Sequence, residues 1–305
     1  MSRARTDELP HRPIPGLGRR LLLGSTIVLL CARIIAGLLS ASPWPSALVI
    51  RRAFTQGAAH IVTEMTPFAP TSGISATTGL RYAPGSPDTT FDVFRPDTAD
   101  APLPAVVWIH GGAWISGAAA DVAPYLRILA SHGYAAVGLN YTVGPEAGYP
   151  TAIRQLNDAL AYLAGNATSL GIDPTRIVLA GDSAGAQLAS QLAVLTTNPD
   201  YARLLGIVPA LRATQLSGVI LNCGVYDLDA LADLTGIRAW GFKTALWSYA
   251  GAKDWSHTYV GAPCRPSGTS RPTFHPPTSP AATATASPRP SPSRWLRPSE
   301  RRASM

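Results

Sequence analysis

Arg176-Ile177-Val178-Leu179-Ala180-Gly181-Asp182-Ser183-Ala184-Gly185 is the stretch on which the reading of this chain turns. Ile177–Ala180 is a short apolar run of the kind buried on both faces of a parallel sheet. Ala184 to Leu195 carries a helical period. Between them, Gly181–Gly185 matches G-x-S-x-G, and it sits where a nucleophile elbow requires it, after a strand and before a helix. The glycines answer a steric demand, because side chains there block the close approach of strand and helix. The turn leaves Ser183 strained and exposed at a helix N-terminus, where partial positive charge favours a developing oxyanion.

Upstream, His110-Gly111-Gly112-Ala113-Trp114 follows a second apolar run, Pro104–Ile109, and lies 73 residues before Ser183. Backbone N–H groups in a Gly-Gly loop can converge on one oxygen without Cβ hindrance. Gly111, Gly112 and the N–H of Ala184 are therefore the expected oxyanion hole around the nucleophile Ser183. His110 is expected to support this loop rather than act as the base. Asp182 is expected to be structural. Tyr141 and Trp114 have two readings each, pocket lining or packing.

Further strand-like runs are Thr90–Phe94, Tyr134–Leu139 and Ser217–Leu221, and helical periods cover Ala123–Ser131 and Ala152–Ala164. Strand and helix alternate, which predicts an α/β class with a mostly parallel, doubly wound sheet.

On these motifs the chain resembles an α/β-hydrolase, of the hormone-sensitive-lipase-like and feruloyl-esterase-like carboxylesterases. Gly171-Ile172-Asp173-Pro174-Thr175-Arg176-Ile177 is similar to that family's lead-in to the nucleophile strand. Asn140-Tyr141 through Tyr149-Pro150 resembles the loop after its next strand. The resemblance covers about 90 to 250 and implies hydrolysis of small carboxylic esters by a Ser-His-Asp triad, without cofactor or metal. Ala113 stands where the family's H-G-G-G has its third glycine. The family's acid follows a later strand and its histidine the last. After Ser183 the only histidines are His257 and His275, neither behind an apolar run. Asp227, Asp229, Asp233 and Asp254 come earlier than the family's acid. Acid and base stay unassigned, and the hydrolase domain, 76–260, is expected to be C-terminally truncated. The competing reading is a non-catalytic hydrolase-fold binding protein or an inactive remnant.

The ends differ from the body. Residues 21–42 hold one charge, Arg33, and are long enough to cross a bilayer. An uncleaved single-pass anchor is favoured over a cleaved signal, since the run exceeds a typical h-region and Pro43 follows the best small-residue site. Arg12, Arg19 and Arg20 before the span, against Arg51 and Arg52 after it, give a slight bias toward a cytoplasmic N-terminus, so the hydrolase domain is expected on the extracytoplasmic side. The expected division is a basic segment 1–20, the transmembrane anchor 21–42, a linker 43–75, the domain, and a tail 261–305. In 262–305, 23 of 44 residues are Pro, Ser or Thr, so disorder is expected. Back-translation of Pro280–Thr285, read two bases later, allows Gly-Gly-Asn-Gly-Asp, which resembles the family's strand end and acid; an out-of-frame tail is one account of it.

The net charge of +7 resides in the ends: +3 in 1–20, +6 in 262–305 and −2 between. The body has no basic face with interleaved aromatics, so nucleic acid is not an expected partner. Cys31, Cys223 and Cys264 are too far apart in sequence to suggest a disulfide framework or a metal cluster.

Overall fold

The structure, a computed structural model, describes residues 17–255 apart from 229, 230 and 232. The expected basic segment lies almost wholly outside the described residues, as do the tail, Asp229, His257 and His275.

The domain is built on a six-stranded sheet: β1 (Ile74–Arg81), β2 (Thr90–Pro96), β3 (Leu103–Ile109), β4 (Ala135–Leu139), β5 (Ile172–Asp182) and β6 (Leu216–Asn222). The spatial order is β1-β2-β4-β3-β5-β6. β4, β3, β5 and β6 are parallel, and β2 and β1 are joined antiparallel at one edge. β6 forms the other edge among the described residues, with Ile220 40% exposed. This is the α/β-hydrolase-like mixed sheet that the alternation predicts. The five expected strands are present; β1, exposed except at Ile74 and Leu80, has no apolar run to announce it.

Helices cover both faces. α3 (Ala123–Ser131) lies between β3 and β4, α4 (Thr151–Gly165) and the short α5 (Ala167–Leu170) between β4 and β5, and α6 (Ala184–Thr197) and α7 (Pro199–Leu205) between β5 and β6. Strand alternation separates two cores. Val107, Ile109, Val137 and Leu139 pack with Leu156, Leu160 and Leu188 of α4 and α6. Val106, Trp108 and Ala136 face the opposite way, onto Leu126 and Ala130 of α3. Apolar residues on both strand faces are what two helical layers demand.

The N-terminal part corrects one expectation. α1 (Leu17–Ala41) covers the proposed span, and its stretch Leu23–Ala41 is apolar, with mean hydropathy 2.0 and none of it buried. By length and composition it fits a membrane span, as would a signal sequence near the N-terminus. Residues 43–75, expected as a linker, are mainly a second helix, α2 (Trp44–Met65). Pro45 lies in its first turn, where proline is tolerated. Ser46, Ala47 and Ile50 are buried. Ala47 and Ile50 form a small core with Ala113 and Ile115 of the Gly-Gly loop and Ala245 of the last described helix, α8 (Gly236–Ala250). α2 is thus packed onto the Gly-Gly loop. Its apolar stripe is interrupted by Gly57 and by polar residues, which hides the period in sequence.

Candidate active site

β3 and β5 are neighbours in register, Ile109 opposite Gly181, so their C-terminal ends bring His110–Trp114 and Asp182–Gly185 together. At Ser183 the chain turns from β5 into α6 with φ 50° and ψ −117°. A non-glycine residue at positive φ is strained and must be held there by its surroundings. The holding contacts are specific. The Ser183 N–H donates to Asn222 O at 2.8 Å, tying the elbow to the end of β6. A Cβ on Gly181 would lie 2.6 Å from the Gly185 backbone, and one on Gly185 would collide with the carbonyl oxygens of Ile109 and His110. Both positions therefore require glycine.

The Gly-Gly loop is also strained. Ala113 and Trp114 have φ 54° and 58°, and Gly112 has φ 101°. Asp182, next to Ser183, braces this loop: its Oδ1 accepts from Trp108 Nε1 at 3.0 Å and from the Gly111 N–H at 3.2 Å. This departs from the expected oxyanion hole, because the N–H of Gly111 is engaged by a carboxylate. Among the described residues no group accepts from the N–H of Gly112 or of Ala184. The structural role expected of Asp182 takes this form, and its partner at Gly111 has no local signal because it lies 71 residues away.

His110 is 2% exposed and stacks on Tyr141 with ring centroids 4.4 Å apart and planes 12° apart. Its Nδ1 lies 2.9 Å from Gly111 O, and Tyr141 Oη donates to the His110 carbonyl at 3.0 Å. Burial pulls the imidazole pKa below its ordinary value, outweighing Gly111 O and the carboxylates of Asp182 and Asp121. Burial likewise raises the Tyr141 phenol. Trp114 is buried, stacks on Tyr249 at 5.2 Å and donates to Gln187 Oε1 at 3.3 Å, so it packs.

One cavity of about 620 Å³ holds the two corners. Its lining includes His110, Gly111, Gly112, Asp182 and Ser183 on one side, and residues of α2 on another. The carboxylates lining it are Asp121 and Asp182. Asp121 accepts from the N–H of Ala118 at 2.9 Å, a turn-closing bond. Asp227, Asp233 and Asp254 are not among its lining residues, and the only described histidine in it is His110. Among the described residues, no group of three His, Cys, Asp or Glu side chains is placed to hold a metal ion.

A family model described as BD-FAE matches residues 91–247, just over half of the chain. Esterase LipQ of Mycobacterium tuberculosis is 34% identical over 155 residues, which are 50% of this chain and 36% of that protein. Carboxylesterase NlhH of the same organism is 38% identical over 112 residues, covering 36% of this chain and 35% of that protein. The match thus spans about a third of the length of these curated relatives. Among solved structures, esterase B from Lactobacillus rhamnosis superimposes with a TM-score of 0.62 at 25% identity, covering 71% of this chain and 69% of that one.

Proposed function

This chain belongs to the BD-FAE family of α/β-hydrolases, and on that premise we propose that it hydrolyses small carboxylic esters with Ser183 as nucleophile. The observation that carries the proposal is the placement of Ser183 at positive φ on the β5–α6 turn, in one cavity with Gly112 of the strained loop. In the proposed reaction Ser183 Oγ bonds to the ester carbonyl carbon and its proton leaves to a base. The carbonyl oxygen becomes an oxyanion, facing the N–H groups of Gly112 and Ala184. Gly111 serves as the loop's tether to Asp182 rather than as a donor. Collapse breaks the bond to the alkoxy oxygen, which departs as alcohol with the proton. Water then attacks the acyl-enzyme, releases the acid and restores Ser183. His110 acts through the loop: its ring and carbonyl are occupied by Gly111 and Tyr141.

The Ser183 side chain makes no capping hydrogen bond to α6, and both histidines after it lie outside the described residues. The second reading is a hydrolase-fold binding protein. An oxyanion hole without its triad supports only roughly 10³–10⁴-fold rate enhancement over water.

The apolar α1 is read as a single-pass anchor that holds the hydrolase domain at the extracytoplasmic face of a membrane. Protease protection in sealed vesicles tests this orientation.

Turnover of p-nitrophenyl butyrate by the full chain, compared with Ser183→Ala, tests the esterase reading. A rate that disappears in the variant, together with fluorophosphonate labelling at Ser183, supports it. Equal rates and no labelling replace it with the binding reading.

A further inference from the structure

Half of α2 is packed and half is open. Ala47 and Ile50 close against the domain. Further along the same face, Ala53, Phe54, Gly57, Ala58, Ile61 and Met65 line the cavity that contains Ser183. These positions recur at three- and four-residue steps, the period of one helical stripe. Phe54 is 44% exposed and Ile61 52% exposed, so the stripe leaves the core and becomes the wall of an open groove. Val122, Tyr125 and Trp108 add further apolar lining. The charged side chains in the cavity are Asp121 and Asp182, and both already accept from protein donors.

Gly57 is the informative residue in this wall. Glycine is less favourable than alanine inside a helix. Where it persists, close approach of a neighbour is the ordinary reason, as at Gly185. At Gly57 no such neighbour exists: a Cβ there would meet nothing within 4 Å. The missing side chain leaves a gap in an apolar wall, open to the space beside the nucleophile.

We propose that the α2 groove is the site for a long hydrocarbon chain of the substrate, and that Gly57 sets how long a chain fits. This rests on the esterase reading and narrows it to esters of long-chain, water-insoluble acids or alcohols. The groove wall supplies hydrocarbon contacts, and the two carboxylates of the cavity are already engaged by protein donors, so it favours a neutral hydrocarbon chain over an anionic or sugar-like group. Esters of this class dissolve in bilayers. α2 follows the proposed anchor with only Ser42 and Pro43 between them.

Two measurements on the full chain in detergent separate this inference from the esterase reading. The first is the ratio of kcat/KM for p-nitrophenyl dodecanoate to that for p-nitrophenyl butyrate. Gly57→Trp is expected to lower that ratio at least tenfold. Gln56→Trp, which places the same indole at an exposed position outside the cavity lining, keeps the wild-type ratio. The second is the affinity of a fluorescent dodecanoate ester for Ser183→Ala, where turnover is absent. Adding Gly57→Trp to that variant is expected to weaken binding at least tenfold, with the thermal melt checking that the domain is folded. If a folded double variant binds as tightly as Ser183→Ala, the groove is not the chain site, whatever the turnover. If the wild type turns over neither ester but binding falls as expected, the esterase reading fails and the chain site stands.

Discussion

Arg51 of α2 grips Glu146, in the loop after β4, with Nη1 on Oε1 at 2.6 Å and Nη2 on Oε2 at 2.5 Å. The same guanidinium donates from Nε to Ile115 O at 2.6 Å and from Nη2 to Gly144 O at 2.8 Å. Ile115 immediately follows Ala113 and Trp114, the two non-glycine residues held at positive φ. One side chain therefore ties the helix behind the apolar N-terminal segment to the strained loop beside Ser183. Arginine suits this place because its planar fork satisfies a carboxylate and two carbonyls together.

Arg51→Met removes the fork and leaves the Ile115 and Gly144 carbonyls short of a donor. The expected loss of stability is about 1–3 kcal/mol, the cost of leaving part-buried polar groups unpaired. Arg51→Lys recovers only part, since an ammonium cannot reproduce the bidentate contact. Chemical denaturation of the three proteins measures this, and a Met variant as stable as wild type rules out the strut.

The Arg51–Glu146 tie also has a pH signature. The hydrogen bond from Arg51 holds the Glu146 carboxyl below its ordinary value of 4.5, overcoming partial burial. A depressed carboxylate pKa contributes stability that is fully present above the unfolded value. It is lost as pH falls through the folded value. Wild type is expected to lose stability more steeply than Glu146→Gln below about pH 4.5. Parallel stability curves in that range contradict the assignment.

Burial of His110 gives a second pH signature, one that begins at a higher pH. Burial lowers its pKa from 6.5, so the folded domain holds the neutral ring while the unfolded chain takes up a proton. Stability is full above 6.5 and declines as pH falls below it toward the folded value. His110→Gln is expected to flatten the melting temperature between pH 6.5 and 5, relative to wild type. Tyr141→Phe, which removes the bond to the His110 carbonyl, is expected to cost about 1 kcal/mol at pH 7.5.

Asp182 acts at the loop through two donors, Trp108 Nε1 and the Gly111 N–H. Asp182→Ala strands both and is expected to lower kcat at least tenfold with KM within twofold, because the loop's amides matter more in the transition state than in the ground state. Asp182→Asn keeps an acceptor oxygen and is expected to restore most of kcat. Equal losses in the two variants rule out positioning through that oxygen.

At Gly185 an added methyl has no room, since the obstacles are backbone carbonyls of Ile109 and His110. Gly185→Ala is expected to cost at least about 3 kcal/mol, the upper range for forced overpacking. A melting temperature within two degrees of wild type contradicts the close approach of α6 to β3.

Much of this architecture is written in short stretches of the chain. Ile177–Ala180 followed by Gly181–Gly185 encodes strand, elbow and helix, because steric demands at a turn act on adjacent residues and so leave a compact motif. The apolar runs of β3 to β6 and the periods of α3, α4 and α6 are local for the same reason. The partner of the Gly111 N–H is not local: it is a carboxylate 71 residues away, and pairing β3 with β5 is what brings it there. The identity of 43–75 is not local either. A weak stripe of Ala47, Ile50, Phe54 and Ile61, broken by Gly57, reads as a connector until the Gly-Gly loop, α8 and the fork of Arg51 give it a surface to bind. The local motif thus marks the Ser183 turn, while the neighbours of its cavity follow from long-range burial and hydrogen bonding, which no window of sequence contains.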